Sequence, residues 1–242
     1  MAKMTLDDLI AQLRGAHADL LSAIVLYGSA AGRDEPAVHA DRNVLVVVSS
    51  ITLETMRAAG AVARAWTEAG NPAPMTLTNA EWRSSTDVFA MEHADIRARH
   101  RVLFVAPGFE LFAGPPPSTR DIRQQLEYEA MATLLGVRSR VLESTGSLKE
   151  REALLTGSVR RVLALFRALL RLAGELPDDD ADAVCRAAAR VAEFSPEPFL
   201  AVLAHRRGRA RLTNSTVGDV LTGFHAGLAR VVAFLDAMPI ED

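Results

Sequence analysis

Residues 26–48 read LYGSAAGRDEPAVHADRNVLVVV. A short apolar run ends at the pair Gly28-Ser29, and beyond a polar spacer Asp41-Arg42-Asn43 heads a second apolar run. Glycine permits the left-handed backbone of a tight turn and lets an anionic group come close to the chain. Ser29 adds a hydroxyl beside the N–H groups of such a turn, a combination that suits phosphate. Alternate residues of a strand share a face, so Asp41 and Asn43 point the same way. A carboxylate at Asp41 is the type of oxygen ligand that holds magnesium against phosphate.

Working outward, "AIVLYG" and "NVLVVVSS" are continuously apolar and β-branched, as strands covered on both faces are. Upstream, Leu6, Leu9, Ile10, Leu13, Ala16 and Leu20 recur at helical spacing. Downstream, a helix is expected from a Thr52 cap to Gly70, and "APMTLTN" reads as a third strand. "DVFAMEHADIRARHRVLFV" predicts a helix, capped by Asp87, and then a strand. "APGFELFAGPPPSTR" breaks the periodicity with prolines and glycines. After it the pattern is helical almost throughout, with expected capping boxes at Ser118/Asp121 and Thr216/Asp219. "LLTGSVRRVLALFRALLRLAG" is apolar over a wide arc, as a central bundle helix is. The chain thus divides into an α/β domain over residues 1–106, a Pro/Gly-rich linker over 107–118, and an all-α antiparallel bundle over 119–242.

Composition narrows the function. The 242 residues are 49% hydrophobic and 24% charged, enough for sizeable cores without covalent staples. A net charge of -3 gives no global electrostatic case for nucleic acid or an anionic membrane. The single cysteine, Cys185, excludes an intramolecular disulfide and lies in an apolar helical pattern that implies a buried thiol. The acidic residues near the start are unlike a secretory signal, and arginines interrupt every apolar run before the ~18 residues of a membrane span. A cytoplasmic location is the expectation.

The Gly-Ser turn followed by Asp-x-Asn at a strand start resembles the signature of the nucleotidyltransferase superfamily related to DNA polymerase β. That signature is Gly-Ser, a spacer, and Asp-x-Asp within a strand. The layout is similar to bacterial members of the kanamycin nucleotidyltransferase and minimal nucleotidyltransferase type. "STDVFAMEHADIRARHRVLF" at Ser85–Phe104 and "RQQLEYE" at Arg123–Glu129 resemble a bacterial branch of the same superfamily. The resemblance implies an α+β fold, a small mixed sheet with helices followed by a helical bundle. It also implies a nucleoside triphosphate bound with magnesium, two ions lying between three carboxylates and the phosphates. Gly28 and Ser29 match the phosphate turn, and Asp41 matches the first carboxylate. Asn43 stands at the second carboxylate position, and no acid occurs on "PMTLT", where the third belongs. Arg33 is the loop arginine expected to contact the nucleotide, although Gly32-Arg33 reverses the branch's usual order. Arg42 stands where an apolar residue is usual, and as a charge it is expected to reach solvent at the strand's start. An amide can ligate magnesium but carries no charge, so one ion is expected rather than two. Loss of such catalytic electrostatics costs roughly 10²–10⁴-fold in rate. A nucleotide-binding protein with weak or lost transfer is therefore expected. The alternative is an active magnesium-dependent transferase acting on a small-molecule or protein acceptor. By the same resemblance, Glu127 would be the general base for an acceptor hydroxyl, if its helix lines a cleft.

Other residues have ordinary readings beside the functional ones. Glu92 and Asp95 could replace missing acids, yet a helix face with ion pairs is the commoner meaning of that spacing. Arg160, Arg167 and Arg171 form a stripe that could meet a triphosphate or a partner, and "HRRGRARL" at His205–Leu212 reads as a basic loop without interleaved aromatics. A HEPN-type ribonuclease needs an arginine a few residues before a late histidine, and none suitably precedes His225. No G-x-S-x-G supports a serine hydrolase, and six scattered histidines do not form a zinc site. A homodimer is compatible with the sequence, but no residue demands one.

Overall fold

The two apolar runs around the Gly-Ser turn form the centre of a sheet. In a computed structural model that describes residues 4–31 and 42–239, apart from the side chain of Ser29, β1 (Leu21–Tyr27) pairs antiparallel with β2 (Asn43–Val48). β2 runs parallel to β3 (Met75–Thr78), and β1 pairs on its other side, antiparallel, with β4 (His100–Val105). The order β3-β2-β1-β4 makes a mixed four-stranded sheet. Its two central strands are covered on both faces, which is why they carry no polar alternation.

Helices α1 (Leu6–His17) and α2 (Leu53–Glu68) cover one face, packing Leu9, Leu13, Val62 and Trp66 against Ile24, Leu26, Val44, Val46 and Val48. Against the other face, Ala23, Val25, Leu45 and Val47 meet Trp82 of α3 (Asn79–Ser84) and Ile96 of α4 (Ala90–Ala98). Reciprocal Thr-based capping boxes start α1, α2 and α3, at Thr5/Asp8, Thr52/Thr55 and Thr78/Glu81. Asp87 does not cap α4. Its Oδ1 accepts from the next backbone N–H, at Val88, and Phe89 holds the N-cap position without a side-chain bond. Four prolines and two glycines do not make the 107–118 segment a loose tether. Phe109, Leu111 and Phe112 pack on the α3/α4 face, and Arg97 donates to the carbonyls of Gly114 and Pro115 at 2.6 and 3.1 Å.

The chain clusters into two compact units, Met1–Ser118 and Thr119–Asp242. The second consists of α5 (Thr119–Glu143), α6 (Leu148–Leu172), α7 (Ala181–Ala192), α8 (Glu197–Arg206) and α9 (Val217–Ala237). The wide apolar arc of α6 meets α5, α7, α8 and α9, so it occupies the centre of the bundle. Phe166, Phe194, Phe199 and Phe224 form a tilted and edge-on cluster there, with ring centroids 4.7–5.4 Å apart. Cys185 is fully buried in α7, and burial pushes its thiol up to about 12. Thr216 does not cap α9 with its side chain; its hydroxyl instead accepts from the Thr213 N–H. α9 is a weak membrane-span candidate by length and composition, but Phe224, Leu228, Val231 and Leu235 bury its apolar side in the bundle.

Candidate functional site

Where β1 ends, Gly28 takes φ +78°, and Gly28–Ala30 form a single 3-10 turn closed by the Ala31 N–H on the Gly28 carbonyl at 3.0 Å. The Gly28 N–H donates to the carbonyl of Arg99 at 3.1 Å, which ties the turn to the end of α4. A Cβ at position 28 would stand 3.2 Å from Asn43 Nδ2. Backbone conformation and close approach therefore both select glycine here. Tyr27 sits opposite Asn43 on one side and His100 on the other, so the ends of β1, β2 and β4 meet at this turn.

Asn43 alternates with Leu45 and Val47, which puts it on the sheet face that α3 and α4 cover. Tyr27 packs on the same face, and burial pushes its hydroxyl up to about 12, with the Glu92 and Asp95 carboxylates adding to the shift. These two acids are half-buried on α4, and both act electrostatically on the Tyr27 hydroxyl. Tyr27 is the feature that the sequence reading missed. The signal was its place directly before Gly-Ser, but the same place suits an ordinary strand residue.

The neighbours of these acids on α4 have other work. His93 is buried, stacks on Trp82 at 3.9 Å, and shares a hydrogen bond with Ser85 Oγ at 3.2 Å. Desolvation, reinforced by Arg97, lowers it to about 4, so it is neutral at physiological pH. His100 stands edge-on to Phe112, 4.8 Å between centroids.

No protein-family model and no curated protein matches the sequence. Among solved structures, the chain is similar to spectinomycin adenyltransferase AAD(9) from Enterococcus faecialis, determined with ATP and spectinomycin. The likeness covers 93% of this chain and 98% of that one, with a TM-score of 0.60 at 12% identity. The chain has a nucleotidyltransferase fold. At that identity the likeness carries the architecture alone.

On this nucleotidyltransferase fold the structure brings Gly28 and Asn43 together at the strand ends. Asp41 and Arg33 lie outside the described residues, as does the side chain of Ser29. Arg42 is half-buried just before the first residue of β2, outside the strand's core. Among the described residues, no group of three or more His, Cys, Asp or Glu converges as metal ligands do.

Glu127 lies on α5 in the helical unit, where its Oε1 accepts from Arg123 Nε at 2.7 Å. Arg123 also donates to the carbonyls of Leu235, Met238 and Pro239, capping the end of α9. Glu129 pairs with Arg161. The arginine stripe on α6 divides, with Arg160 exposed and Arg167 and Arg171 half-buried. In the basic loop, Arg207 bonds Asp182 at 2.7 Å and His205 Nδ1 accepts from the Leu212 N–H.

Proposed function

We propose that the chain binds a nucleoside triphosphate with magnesium at the Gly28–Ala31 turn, and that its nucleotidyl transfer is weak or lost. The observation that carries this reading is left-handed Gly28 set against Asn43, at the strand ends of a fold shared with an adenyltransferase that was determined with ATP. Gly28, Ser29 and Arg33 would face the phosphates. Asp41 would hold the ion with the Asn43 carbonyl as a neutral second ligand. One carboxylate and one amide fit a single dication delivered with its nucleotide better than a pair, because two close dications need carboxylate charge to offset their repulsion. When bound, magnesium supplies neutralisation of phosphate charge. Glu127 Oε1 accepts from Arg123 Nε, so Oε2 is the oxygen that would face an acceptor hydroxyl.

A second reading is an active transferase with an acceptor still to be identified. Half-buried Glu92 and Asp95 favour it, since they bring to the Tyr27/Asn43 face negative charge that the sheet itself lacks.

Calorimetry with ATP, GTP, CTP and UTP in magnesium, followed by pyrophosphate assays with candidate acceptors, separates these readings. Saturable binding that Asp41→Ala weakens by about tenfold or more, without pyrophosphate release, is the expected result. Pyrophosphate release that depends on Asp41 would select the second reading. If none of the four triphosphates binds, both readings fail.

A further inference from the structure

Between the end of α5, the start of α6 and the start of α9 lies a cavity of about 340 Å3, within the helical unit and sharing no residue with the Gly28 turn. That volume is at the lower end for small-ligand sites, roughly 300–1,000 Å3. Most of its polar atoms are already engaged. Ser144 Oγ, Thr145 N and Thr145 Oγ1 donate to Glu150 Oε2 at 2.9, 3.0 and 2.8 Å. Thr222 Oγ1 donates to the Gly218 carbonyl at 2.9 Å. Arg151 differs. It lines the cavity half-buried, and its guanidinium makes no hydrogen bond or ion pair with any described residue.

The guanidinium lies against two glycines. A Cβ on Gly146 would stand 3.1 Å from Nη2, and one on Gly218 would stand 3.7 Å from Nη1. Gly146 also has φ +83°, so its backbone favours glycine as well. Two bare stretches of backbone therefore flank a cation whose donors remain unspent, and each partly desolvated donor favours a partner. The planar fork of arginine matches a carboxylate through two parallel bonds. Val141, Leu154 and Leu221 supply an apolar wall beside it.

Charge limits the ligand further. The Glu150 carboxylate, held down to about 2 by the Thr145 and Ser144 hydroxyls, is ionised on the same loop. Lys149 and Arg140 are nearby in sequence but exposed, and neither lines the cavity. One guanidinium near a fixed carboxylate suits a single negative charge better than a phosphate dianion.

We propose that this cavity binds a small monocarboxylate with an apolar body, its carboxylate taken by Arg151 between Gly146 and Gly218. The site stands apart from the nucleotide reading, and neither depends on the other.

The test is calorimetry and 15N-amide NMR on the full chain with 4-methylpentanoate, its neutral alcohol 4-methylpentanol, phenyl phosphate and inorganic phosphate. Saturable binding of 4-methylpentanoate is expected, about tenfold or more tighter than the alcohol and lost by a similar factor in Arg151→Met. Leu221→Trp, which fills the cavity and leaves the arginine, should also abolish it, with shifts centred on residues 144–151 and 218–222. Tighter binding of either phosphate probe overturns the ligand class. Equal binding of acid and alcohol to the unaltered protein, or unchanged affinity in a folded Arg151→Met, overturns the role of Arg151. Absence of saturable binding up to about 20 mM overturns the site.

Discussion

Gly28→Ala measures how much of the turn's geometry is built into the fold. A residue other than glycine at φ +78° stands in the left-handed region, at a cost of about 1–2 kcal/mol. The new Cβ would also lie 3.2 Å from Asn43 Nδ2, closer than ordinary contact. Asn43 is half-buried on the first rung of the β1–β2 ladder, opposite Tyr27, and its side-chain amide must give by a few tenths of an ångström to make room. That adjustment adds roughly 0.5–1 kcal/mol, at or below the low end of core overpacking because a half-buried side-chain end can yield. The total is about 1.5–3 kcal/mol, which at about 4 °C per kcal/mol for a unit of this size lowers Tm by roughly 6–12 °C. Thermal melts followed by circular dichroism measure it, with a double-mutant cycle through Asn43→Ala to separate the two contributions. The cycle should recover the contact portion and leave the conformational portion. A Gly28→Ala protein melting within about 1 °C of wild type would refute the left-handed turn, and full recovery in the double mutant would refute the conformational strain.

Three further outcomes are expected. His93 is held neutral, near 4 against 6.5 for a free histidine, so its contribution is complete above pH 6.5 and is lost as pH falls toward 4. At 1.36 kcal/mol per unit this amounts to roughly 3 kcal/mol, and His93→Gln should flatten that part of a urea-monitored stability profile; parallel profiles for the two proteins would exclude the effect. Arg123→Ala removes donors to three carbonyls and to Glu127 from a side chain only 15% exposed, and should cost about 2–3 kcal/mol in urea unfolding, with Arg123→Lys recovering less than half because it lacks the fork. Gly227→Ala would place a Cβ 2.6 Å from the Phe199 ring, so a loss of about 2–3 kcal/mol is expected from calorimetric melting, and a neutral result would show that the aromatic cluster is loose.

What could be read from the sequence depended on whether the information was local. The unbroken apolar runs of β1 and β2 imply two covered faces because any polar residue there would lose its water, and both strands are buried on both sides. The wide arc of α6 implies neighbours all round for the same reason, and it has four. The Thr52 cap was legible since a capping box is complete within four residues. The Thr216 cap failed although its pattern was present, because the Thr213 N–H offered the same hydroxyl a competing bond. Prolines and glycines at 107–118 correctly signalled irregular backbone. They carried no information about the docking of Phe109, Leu111 and Phe112, which depends on Ala23, Val25, Leu45 and Val47 of the sheet, more than 60 residues earlier in the chain, together with Trp82 and Ile96.

The strand-end site was the hardest part to read, because its residues come from three separated segments: 27–28, 43 and 92–100. Spacing alone showed Glu92 and Asp95 sharing a helix face, but not that their charge would reach a half-buried phenol on β1. Once Tyr27 is known to feel both carboxylates, Asn43 takes on a different physical meaning. A carboxylate at 43 would add a third negative charge to a half-buried face that already raises the tyrosine to about 12. Without a dication to absorb it, that charge would be repelled by its neighbours in a medium of low effective dielectric. With two dications the repulsion would disappear, and selection would favour the acid. An amide keeps the shape of the Gly28 contact and avoids that repulsion.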